Sequence, residues 1–378
     1  MNNRAYQVCR NCVMDTTDSR ISFDESGLCD HCQNFYAVIE PQWKKQLSNP
    51  TALNELVHQI KQEGQGKEYD CIIGLSGGMD SSYLLYYAKE MLGLRPLAYS
   101  VDTGWTLNVA LENIEKLVRG LELELHTDII NWNEMRNLQL AFFKSQVAYQ
   151  DLPQDHVIFA GLYNYAIKNK IKYVLTGGNL ATECVREPIE WVYQNDLTHI
   201  KDIHRRFGEK PIKDLPMTGM FKYKLYYRYV KGMKVIRLLD MIPYSKKLAT
   251  DTLNQKFDWQ PYQNKHFESV FTRFYEGYWL VKKFGFDKRR AHFSSLILTD
   301  QLSREDALET LANPPYDERQ AMKDLDYICR KLGVSKDDFL EMMNQPNKTY
   351  KDYKNQAGLI AIAVKIARLL KVESRQYR

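Results

Sequence analysis

The stretch LSGGMDSSYLL, from Leu75 to Leu85, places two glycines and three serines around one aspartate. It follows the apolar run CIIG and precedes apolar residues with helical spacing. Glycines let backbone N–H groups approach an anion closely, and a helix N-terminus adds a partial positive charge. The stretch therefore predicts a phosphate-binding loop between a buried strand and a helix. The plainer alternative is a serine-capped helix start after a tight turn.

The segments around this loop alternate between strand and helix patterns. Apolar runs predict strands at Asp70–Leu75, Pro96–Asp102, Leu123–Ile129 and Lys172–Thr176. The alternation predicts an α/β fold, a doubly wound parallel sheet with right-handed crossovers. The chain after about residue 200 is expected to be mostly helical, and an apolar last helix at Gly358–Leu370 is expected to pack against the body of the protein or a partner.

Two CxxC pairs near the N-terminus predict a metal site. CRNC contains Cys9 and Cys12, and CDHC contains Cys29 and Cys32, with the spacing of a zinc ribbon. Four thiolates complete a closed tetrahedral site that leaves no position for water. The expected metal is Zn²⁺ rather than an iron–sulfur cluster. His31 is not expected to be a ligand, because four thiolates suffice.

The loop lacks the Gly-Lys-Ser/Thr of a Walker A motif. It resembles the SGGxDS loop of the ATP pyrophosphatase, or PP-loop, family through Ser76, Gly77, Gly78, Asp80 and Ser81. Members of that family cleave ATP between the α and β phosphates and transfer AMP to a substrate oxygen. The resemblance implies that the chain uses ATP and Mg²⁺.

The same resemblance implies which residues hold the nucleotide and the metal. SVDTGW ends the second predicted strand, where the family places adenosine, and LTGGNLATE ends the fourth. Asp80 and Glu183 are the expected Mg²⁺ ligands. The alternatives are ordinary strand-to-helix turns and, for Glu183, a glutamate that the helix dipole favours. The expected nucleotide-binding residues are Ser76, Gly77, Gly78, Asp80, Ser81, Ser82, Val101, Asp102, Thr176, Gly177 and Asn179.

The C-terminal half contains basic residues that suit phosphate. KKFGFDKRRAHFSS contains Lys288, Arg289 and Arg290, and NKHFES contains Lys265. Guanidinium donors and lysine charges bind phosphate oxygens. Lys265, Lys288 and Arg289 are therefore expected, with Asp80, to be the catalytic residues around the departing pyrophosphate. The alternative for the first group is a solvated basic helix start.

The CxxC pairs, SGGMDS, TGGN and the stretch NKHFES…TRFYEGYW…KKFGFDKRRAHFSS together resemble the N-acetyl sugar amidotransferases. This resemblance covers nearly the whole chain. It implies a nucleotide-linked acetamido sugar as substrate, in the synthesis of a surface polysaccharide or flagellin glycan. It also implies adenylation of the amide oxygen, followed by attack of ammonia that turns the acetamido group into an acetamidino group.

Ammonia needs a source outside this chain. Residue 2 is Asn rather than a nucleophilic Cys, and no Gly-x-Cys-x-Gly elbow occurs. The resemblance therefore implies a separate glutaminase subunit as partner, together with a cyclase-like subunit.

The chain has 378 residues, enough for two or three domains. The expected domains are a zinc ribbon at 1–45, a PP-loop ATP pyrophosphatase domain at 46–205, and a helical region at 206–378 that completes the active site. The net charge of +5 is mild and does not favour a nucleic-acid partner. No apolar run approaches a membrane span and no signal core is present, so a cytoplasmic location without a membrane partner is expected.

Three other functions fit the same loop. Some tRNA sulfurtransferases pair it with a zinc ribbon, and such an enzyme would use Cys184, because Cys71 lies in a strand and Cys329 on a late helix. A carboxylate amidase would share the first half-reaction, since acids and amides present the same oxygen. A nucleotide-sensing subunit would bind without turnover, although the presence of Asp80 and Glu183 counts against it.

Overall fold

The computed structural model describes residues 5–193, 196–262 and 267–369 of the chain. A parallel five-stranded sheet lies at its centre, in the order β3-β2-β1-β4-β5. The order reverses between β1 and β4, and open parallel sheets bind ligands at such a point, beyond the carboxyl ends of the strands. The strands are β1 Cys71–Gly74, β2 Pro96–Asp102, β3 Leu125–Ile129, β4 Tyr173–Leu175 and β5 Lys234–Ile236.

β1 is buried on both faces, as its continuous apolar sequence predicts. Ile72 and Ile73 have no exposed surface, and they enter different hydrophobic cores. Ile73 shares one core with the helices Met79–Tyr86 and Asn108–Gly120, whereas Ile72 shares the other with the helix Leu152–Lys168. Helices thus cover both faces of the sheet, which confirms the predicted doubly wound α/β fold.

The fifth strand is a feature that the sequence did not predict. β5 is only three residues long and extends the sheet beyond β4 in parallel register. Its sequence, KVI, lies in a basic, tyrosine-rich stretch and is too short to show a strand pattern. The domain boundary at 205 stays a prediction, but the sheet continues past it.

Helices form most of the remaining chain, including the predicted helical C-terminal region. None of the helices in the described ranges is long and apolar enough to cross a membrane. In the described residues, four segments have π-type turns: Phe35–Ile39, Tyr87–Met91, Lys222–Val230 and Tyr275–Phe284. The other helical segments are Asp30–Asn34, Glu40–Leu47, Pro50–Glu63, Met79–Tyr86, Asn108–Gly120, Trp132–Ser145, Leu152–Lys168, Leu180–Glu183, Leu197–Phe207, Leu238–Met241, Lys246–Phe257, Val270–Phe274, Arg289–Leu298, Arg304–Leu311, Glu318–Leu332, Lys336–Asn344, Tyr350–Asp352 and Ala357–Leu369.

The last helix, Ala357–Leu369, does not pack as expected against the body of the protein. Leu359 and Ile362 are 58% and 57% exposed. The expectation of burial against the body is therefore wrong for these side chains. A partner that covers them stays a prediction.

Candidate active site

The SGGMDS loop, residues 76–81, follows β1 and has a conformation that requires glycine. Gly77 has φ +83°, in the left-handed region that residues with a Cβ atom rarely adopt. A Cβ atom at this position would lie 2.7 Å from the carbonyl oxygen of Ala110. The loop backbone therefore lies directly against the helix Asn108–Gly120.

Serine hydroxyls bond within the loop, and a second loop approaches it closely. The Oγ atom of Ser76 accepts a hydrogen bond from the N–H of Gly78 at 3.2 Å, and Ser81 donates to the carbonyl of Gly78 at 3.2 Å. Gly177, after β4, approaches so closely that a Cβ atom would lie 2.9 Å from the nitrogen of Ser81. The loops that follow β1 and β4 therefore pack directly against each other.

Aromatic residues from the C-terminal half donate hydrogen bonds to the SGGMDS loop. The indole N–H of Trp259 and the hydroxyl of Tyr262 both donate to the carbonyl oxygen of Gly77, at 3.2 and 3.0 Å. The hydroxyl of Tyr244 donates to Oδ1 of Asp80 in a short hydrogen bond. Burial and the nearby carboxylate of Asp80 raise the pKa of Tyr244 well above its usual value, so this hydroxyl stays a donor.

These elements surround a cavity of about 300 Å³, here named the loop cavity. The phosphates of a nucleotide would fit this place chemically, because backbone N–H groups, hydroxyls and a helix N-terminus meet there. Its lining includes Ser76, Gly78, Asp80, Ser81, Phe159, Gly177, Thr182, Glu183, Trp259, Tyr262, Glu268 and His292.

A second cavity of about 320 Å³, here named the side cavity, adjoins the first. Thr182, Glu183 and His292 line both cavities. In the side cavity, Nζ of Lys288 lies 2.5 Å from Oε1 of Glu276. The site is therefore bipartite, and Glu183 lies where the two parts meet.

The structure brings six predicted residues to the loop cavity: Ser76, Gly78, Asp80, Ser81, Gly177 and Glu183. Gly77 shapes the loop through its backbone, as described above. Asp80 and Glu183 present carboxylates to one cavity, which fits the oxygen ligands that Mg²⁺ prefers.

Other predicted nucleotide-binding residues have different contacts. Ser82 is fully buried, and its hydroxyl does not face the loop cavity. Val101 packs with the core beside β1, and Asp102 accepts a hydrogen bond from the N–H of Gly104 at 2.7 Å. The backbone N–H of Thr176 donates to β5 at 2.9 Å. The side-chain amide of Asn179 donates a hydrogen bond to the carbonyl oxygen of Gly177 at 3.1 Å, and the same side chain caps the short helix Leu180–Glu183.

The basic residues separate into different environments. Lys288 lies in the side cavity rather than at the SGGMDS loop. Arg289 also lines the side cavity, but its guanidinium already donates to Asp287 at 2.7 Å. Arg290 points the other way and donates to the carbonyl of Val13 at 2.9 Å. Lys265 lies outside the described residues. Roles of these residues toward pyrophosphate stay predictions.

The two CxxC pairs bring four buried sulfurs together. The four Sγ atoms lie within 4.8 Å of one another, and three pairs are 3.6, 3.6 and 3.8 Å apart. Four thiolates around one tetrahedral ion at the usual metal–sulfur length would be about 3.8 Å apart. His31 bonds to Asp18 at 2.9 Å instead of joining the sulfurs. The distances fit one tetrahedral ion, and zinc as its identity stays a prediction.

The four-cysteine unit, residues 5–39, packs against the helix that borders the side cavity. The N–H of Val13 donates to Oγ of Ser294 at 3.2 Å, on the helix Arg289–Leu298. Arg304 donates to the carbonyls of Cys9 and Cys12 at 2.8 and 3.1 Å. His292 on the same helix lines both cavities. The four-cysteine unit therefore supports one wall of the site without lining it.

The three cysteines outside this unit are buried. Cys71 is fully buried in β1, and Cys184 and Cys329 are each 4% exposed. Burial raises the pKa of Cys184 to about 12 and that of Cys329 to about 11. At neutral pH these thiols are protonated, so none of them has the properties of a reactive thiolate.

A comparison with protein families identifies the C-terminal part of the chain. Residues 268–368 match the family described as "LPS biosynthesis protein WbpG-like, C-terminal domain". This segment is similar to that family. It contains Glu276, Lys288 and His292 of the side cavity. The match also falls on the stretch that carried the resemblance noted in the sequence, and it confirms that resemblance.

Other relatives are more distant. The chain is 30% identical over 118 residues to an uncharacterized protein of Methanocaldococcus jannaschii, which covers 31% of this chain and 40% of that protein. The chain thus matches less than half of that relative's length.

Two solved structures show a weak overall likeness. The U34-tRNA thiolase NcsA from Methanococcus maripaludis, with its 4Fe-4S cluster, is 15% identical with a TM-score of 0.33, over 87% of this chain and 89% of that chain. NMN synthetase from Francisella tularensis is 17% identical with a TM-score of 0.28, over 57% and 97%. At these low scores, the fold class rests on the strand order and the loop of this chain.

Replacing Tyr244 by Phe tests the hydrogen bond to Asp80. The carboxylate loses the donor that orients it, so the affinity for ATP in the presence of Mg²⁺ is expected to fall about tenfold. Isothermal titration calorimetry measures this affinity. Tyr83→Phe is the matched control, because the Tyr83 ring packs against Tyr244 at 5.3 Å. Equal affinity in both variants would show that the Tyr244 hydroxyl is dispensable.

Replacing Cys12 by Ser tests the metal unit. Purified wild-type protein is expected to hold about one tetrahedral metal ion per chain, and the variant is expected to lose it and to melt at a lower temperature. Elemental analysis and thermal denaturation measure these quantities. Cys329→Ser, which changes a buried thiol outside the unit, should keep the ion. Iron with inorganic sulfide in the wild type would contradict a single-ion site.

Proposed function

We propose that this protein is an ATP-dependent, AMP-forming amidotransferase that converts the acetamido group of a nucleotide-activated sugar into an acetamidino group. The observation that carries the proposal is the bipartite site. A cavity built on a phosphate-binding loop opens beside a second, carboxylate-lined cavity, and the two meet at Glu183. This arrangement suits a reaction in which an acceptor oxygen attacks the α-phosphorus of ATP and a second nucleophile enters from the other side.

The chemistry follows from the weakness of an amide as an electrophile. Attack of the amide oxygen on the α-phosphorus forms an O–P bond, and pyrophosphate leaves with the P–O bond electrons. Ammonia then adds to the activated carbon, and AMP departs with the former amide oxygen. Positioning of the reactants and stabilisation of phosphate charge supply most of the acceleration.

Particular residues of this chain suit particular tasks in that sequence. Backbone N–H groups of the SGGMDS loop would hold phosphate oxygens, and the hydroxyls of Ser76 and Ser81 would bond to them. Asp80, oriented by Tyr244, and Glu183 would hold Mg²⁺. When bound, that ion neutralises charge on the phosphates.

The biological setting is proposed from the family match and the sequence. The description of the matched family as LPS biosynthesis supports a role in making a surface polysaccharide. We expect Zn²⁺ in the four-cysteine unit, a cytoplasmic location, and a separate glutaminase with a cyclase-like subunit as the ammonia source. The exposed apolar side chains of Leu359 and Ile362 offer one surface for such a partner.

The rival reactions differ in what they need from the protein. A sulfurtransferase that works through Cys184 is disfavoured, because this thiol is buried and its pKa is raised to about 12. A carboxylate amidase would use the same two cavities, so only the substrate separates it from the proposed reaction.

Mass spectrometry of the reaction products tests the proposal. The protein is incubated with ATP, Mg²⁺, ammonium chloride and a panel of acetamido nucleotide sugars. One sugar should lose an oxygen and gain an NH group, with AMP and pyrophosphate formed in equal amounts. Asp80→Asn should abolish the product, whereas Asp326→Asn, at a surface ion pair, should not.

The negative results of this assay also separate the rivals. Amidation of a carboxylic acid in place of the acetamido group would replace the proposal with a carboxylate amidase. If no sugar in the panel causes AMP formation while tRNA with a sulfur donor does, the proposal is wrong.

A further inference from the structure

The segment Lys222–Val230 and the residue before it expose an apolar surface that the proposed reaction does not use. Five large apolar or aromatic side chains are exposed there, here named the apolar face: Phe221, Leu225, Tyr226, Tyr229 and Val230. Tyr229 and Val230 are each 70% exposed. Elsewhere in the described part of residues 5–358, no ten-residue stretch exposes more than two such side chains. Exposed apolar patches of this kind mark contacts with membranes or other proteins.

The π-type turns of this segment bring the five side chains to one side. The backbone N–H of Lys231 donates to the carbonyl oxygen of Tyr226, five residues earlier, at 2.9 Å. In turns of this width, residues four and five positions apart lie on the same side of the helix. The members of the apolar face follow one another at these two steps. The apolar face is therefore one continuous surface.

The other side of the segment is fixed to the helix Leu152–Lys168. Tyr227 is 1% exposed, and its hydroxyl donates a short hydrogen bond to Oδ1 of Asn164 on that helix. The ring of Tyr223 stacks on the ring of Tyr163, with the centroids 5.0 Å apart. Packing of these two tyrosines turns the apolar face away from the body of the protein, so its exposure is a property of the fold.

Positive charge borders the apolar face. Four exposed cations lie beside it in the chain: Lys222, Lys224, Arg228 and Lys231. Residues 215–239 contain no Asp or Glu. The Nζ atom of Lys231 lies 5.4 Å from the ring centroid of Tyr226, so its stem runs along the apolar face. Lysine and arginine side chains in such positions cover apolar surface with their stems and present their charges at its edge.

This combination favours an anionic lipid surface over a nucleic acid or a protein. Helices that lie in a membrane interface combine an apolar, aromatic face with lysine and arginine, and tyrosine presents both a ring and a hydroxyl to such a boundary. A single-stranded nucleic acid would stack on rings, but Leu225 and Val230 offer none. Protein interfaces are depleted in lysine, whereas three of the four cations here are lysines.

We propose that the segment Lys222–Val230 docks the protein on the surface of an anionic phospholipid bilayer. The apolar face enters the headgroup layer, and the four cations contact lipid phosphates. The contact is peripheral, since none of the helices in the described ranges could cross a membrane. The sequence led us to expect no membrane partner because it lacks a spanning segment and a signal core. A segment that lies on the bilayer needs neither.

Docking in this way would hold the loop cavity beside the bilayer. Tyr163, on which Tyr223 stacks, also stacks on Phe159, with the ring centroids 6.0 Å apart. Phe159 lines the loop cavity. A row of three stacked rings therefore connects the docking segment to the expected ATP site. The inference concerns where the protein works, and it does not depend on the reaction proposed above.

Co-sedimentation of the full chain with lipid vesicles is the first test. The protein is mixed, without ATP or sugar, with vesicles of phosphatidylglycerol and phosphatidylcholine or with vesicles of phosphatidylcholine alone. Affinity for the anionic vesicles should be at least about tenfold higher and should fall as salt is added, because salt screens the attraction between the cations and the lipid phosphates. Failure of the wild type to bind the anionic vesicles would overturn the inference.

Removal of the apolar face tests its part in binding. Tyr229→Ser combined with Val230→Ser should weaken binding to the anionic vesicles about tenfold or more, because the side chains that enter the headgroup layer are lost. Leu111→Ser combined with Leu248→Ser is the matched control, since these leucines are 51% and 43% exposed elsewhere on the protein. The control should bind as the wild type does. Thermal denaturation verifies that both variants are folded. Equal binding by the two variants would contradict the proposal.

A second pair of variants separates the local charge from the net charge. Lys224→Gln combined with Arg228→Gln should also weaken binding about tenfold or more. Lys247→Gln combined with Lys336→Gln removes the same amount of charge at surface ion pairs elsewhere and should leave binding nearly unchanged. If both pairs weakened binding to the same extent, the attraction would come from the whole protein, and the assignment to this segment would be wrong.

Fluorescence shows whether the apolar face enters the lipid. In Tyr229→Trp, the emission gained over the wild type should be quenched by brominated phosphatidylcholine in the anionic vesicles. Sedimentation without this quenching would contradict insertion of the apolar face. A nucleic-acid surface is tested with polyuridylate. If the wild type bound polyuridylate but not the anionic vesicles, and Lys224→Gln with Arg228→Gln abolished that binding, the surface would serve a nucleic acid and the proposal would be overturned.

Discussion

The packing of the four-cysteine unit against the helix Arg289–Leu298 is the contact on which the side cavity depends. On the outer side of this helix, Ser294 and Arg290 bond to the backbone of Val13. Near its inner side, Lys288 and His292 line the cavity. A helix of this length has little stability by itself. The four-cysteine unit therefore supports the site through its backbone contacts with this helix, although its cysteines do not line either cavity.

The rest of the site joins two halves of the chain that are far apart in sequence. The sheet supplies the SGGMDS loop and the short helix that ends in Glu183, and the C-terminal half supplies Trp259 and Tyr262 beneath the carbonyl of Gly77. The carbonyl oxygen of Gly77 in the first half thus obtains its hydrogen-bond donors from the second half. Glu183 lines both cavities, so under the proposed function it would lie between the ATP-binding part of the site and the adjoining side cavity.

Local signals predicted the parts of the site that depend on backbone conformation. Gly77 was predicted because a loop that approaches an anion needs a residue without Cβ, and its φ of +83° agrees. The cysteines were predicted because thiolates on one metal need a fixed spacing. Ser82 and Asn179 belong to the same motifs, yet one is buried and the other caps a helix. A motif gives the residue types, but the direction of each side chain depends on the neighbours that it meets.

The sequence by itself determined the alternation of strands and helices, the loop after β1 and the four-cysteine unit, because each follows from interactions between residues close in the chain. Only the tertiary structure decided that Tyr244 bonds to Asp80 and that Glu187 pairs with Lys288. These contacts join residues more than a hundred positions apart, and no local pattern encodes such a meeting. The physical reason is that burial and charge repulsion act through space, so they exist only once the chain has folded.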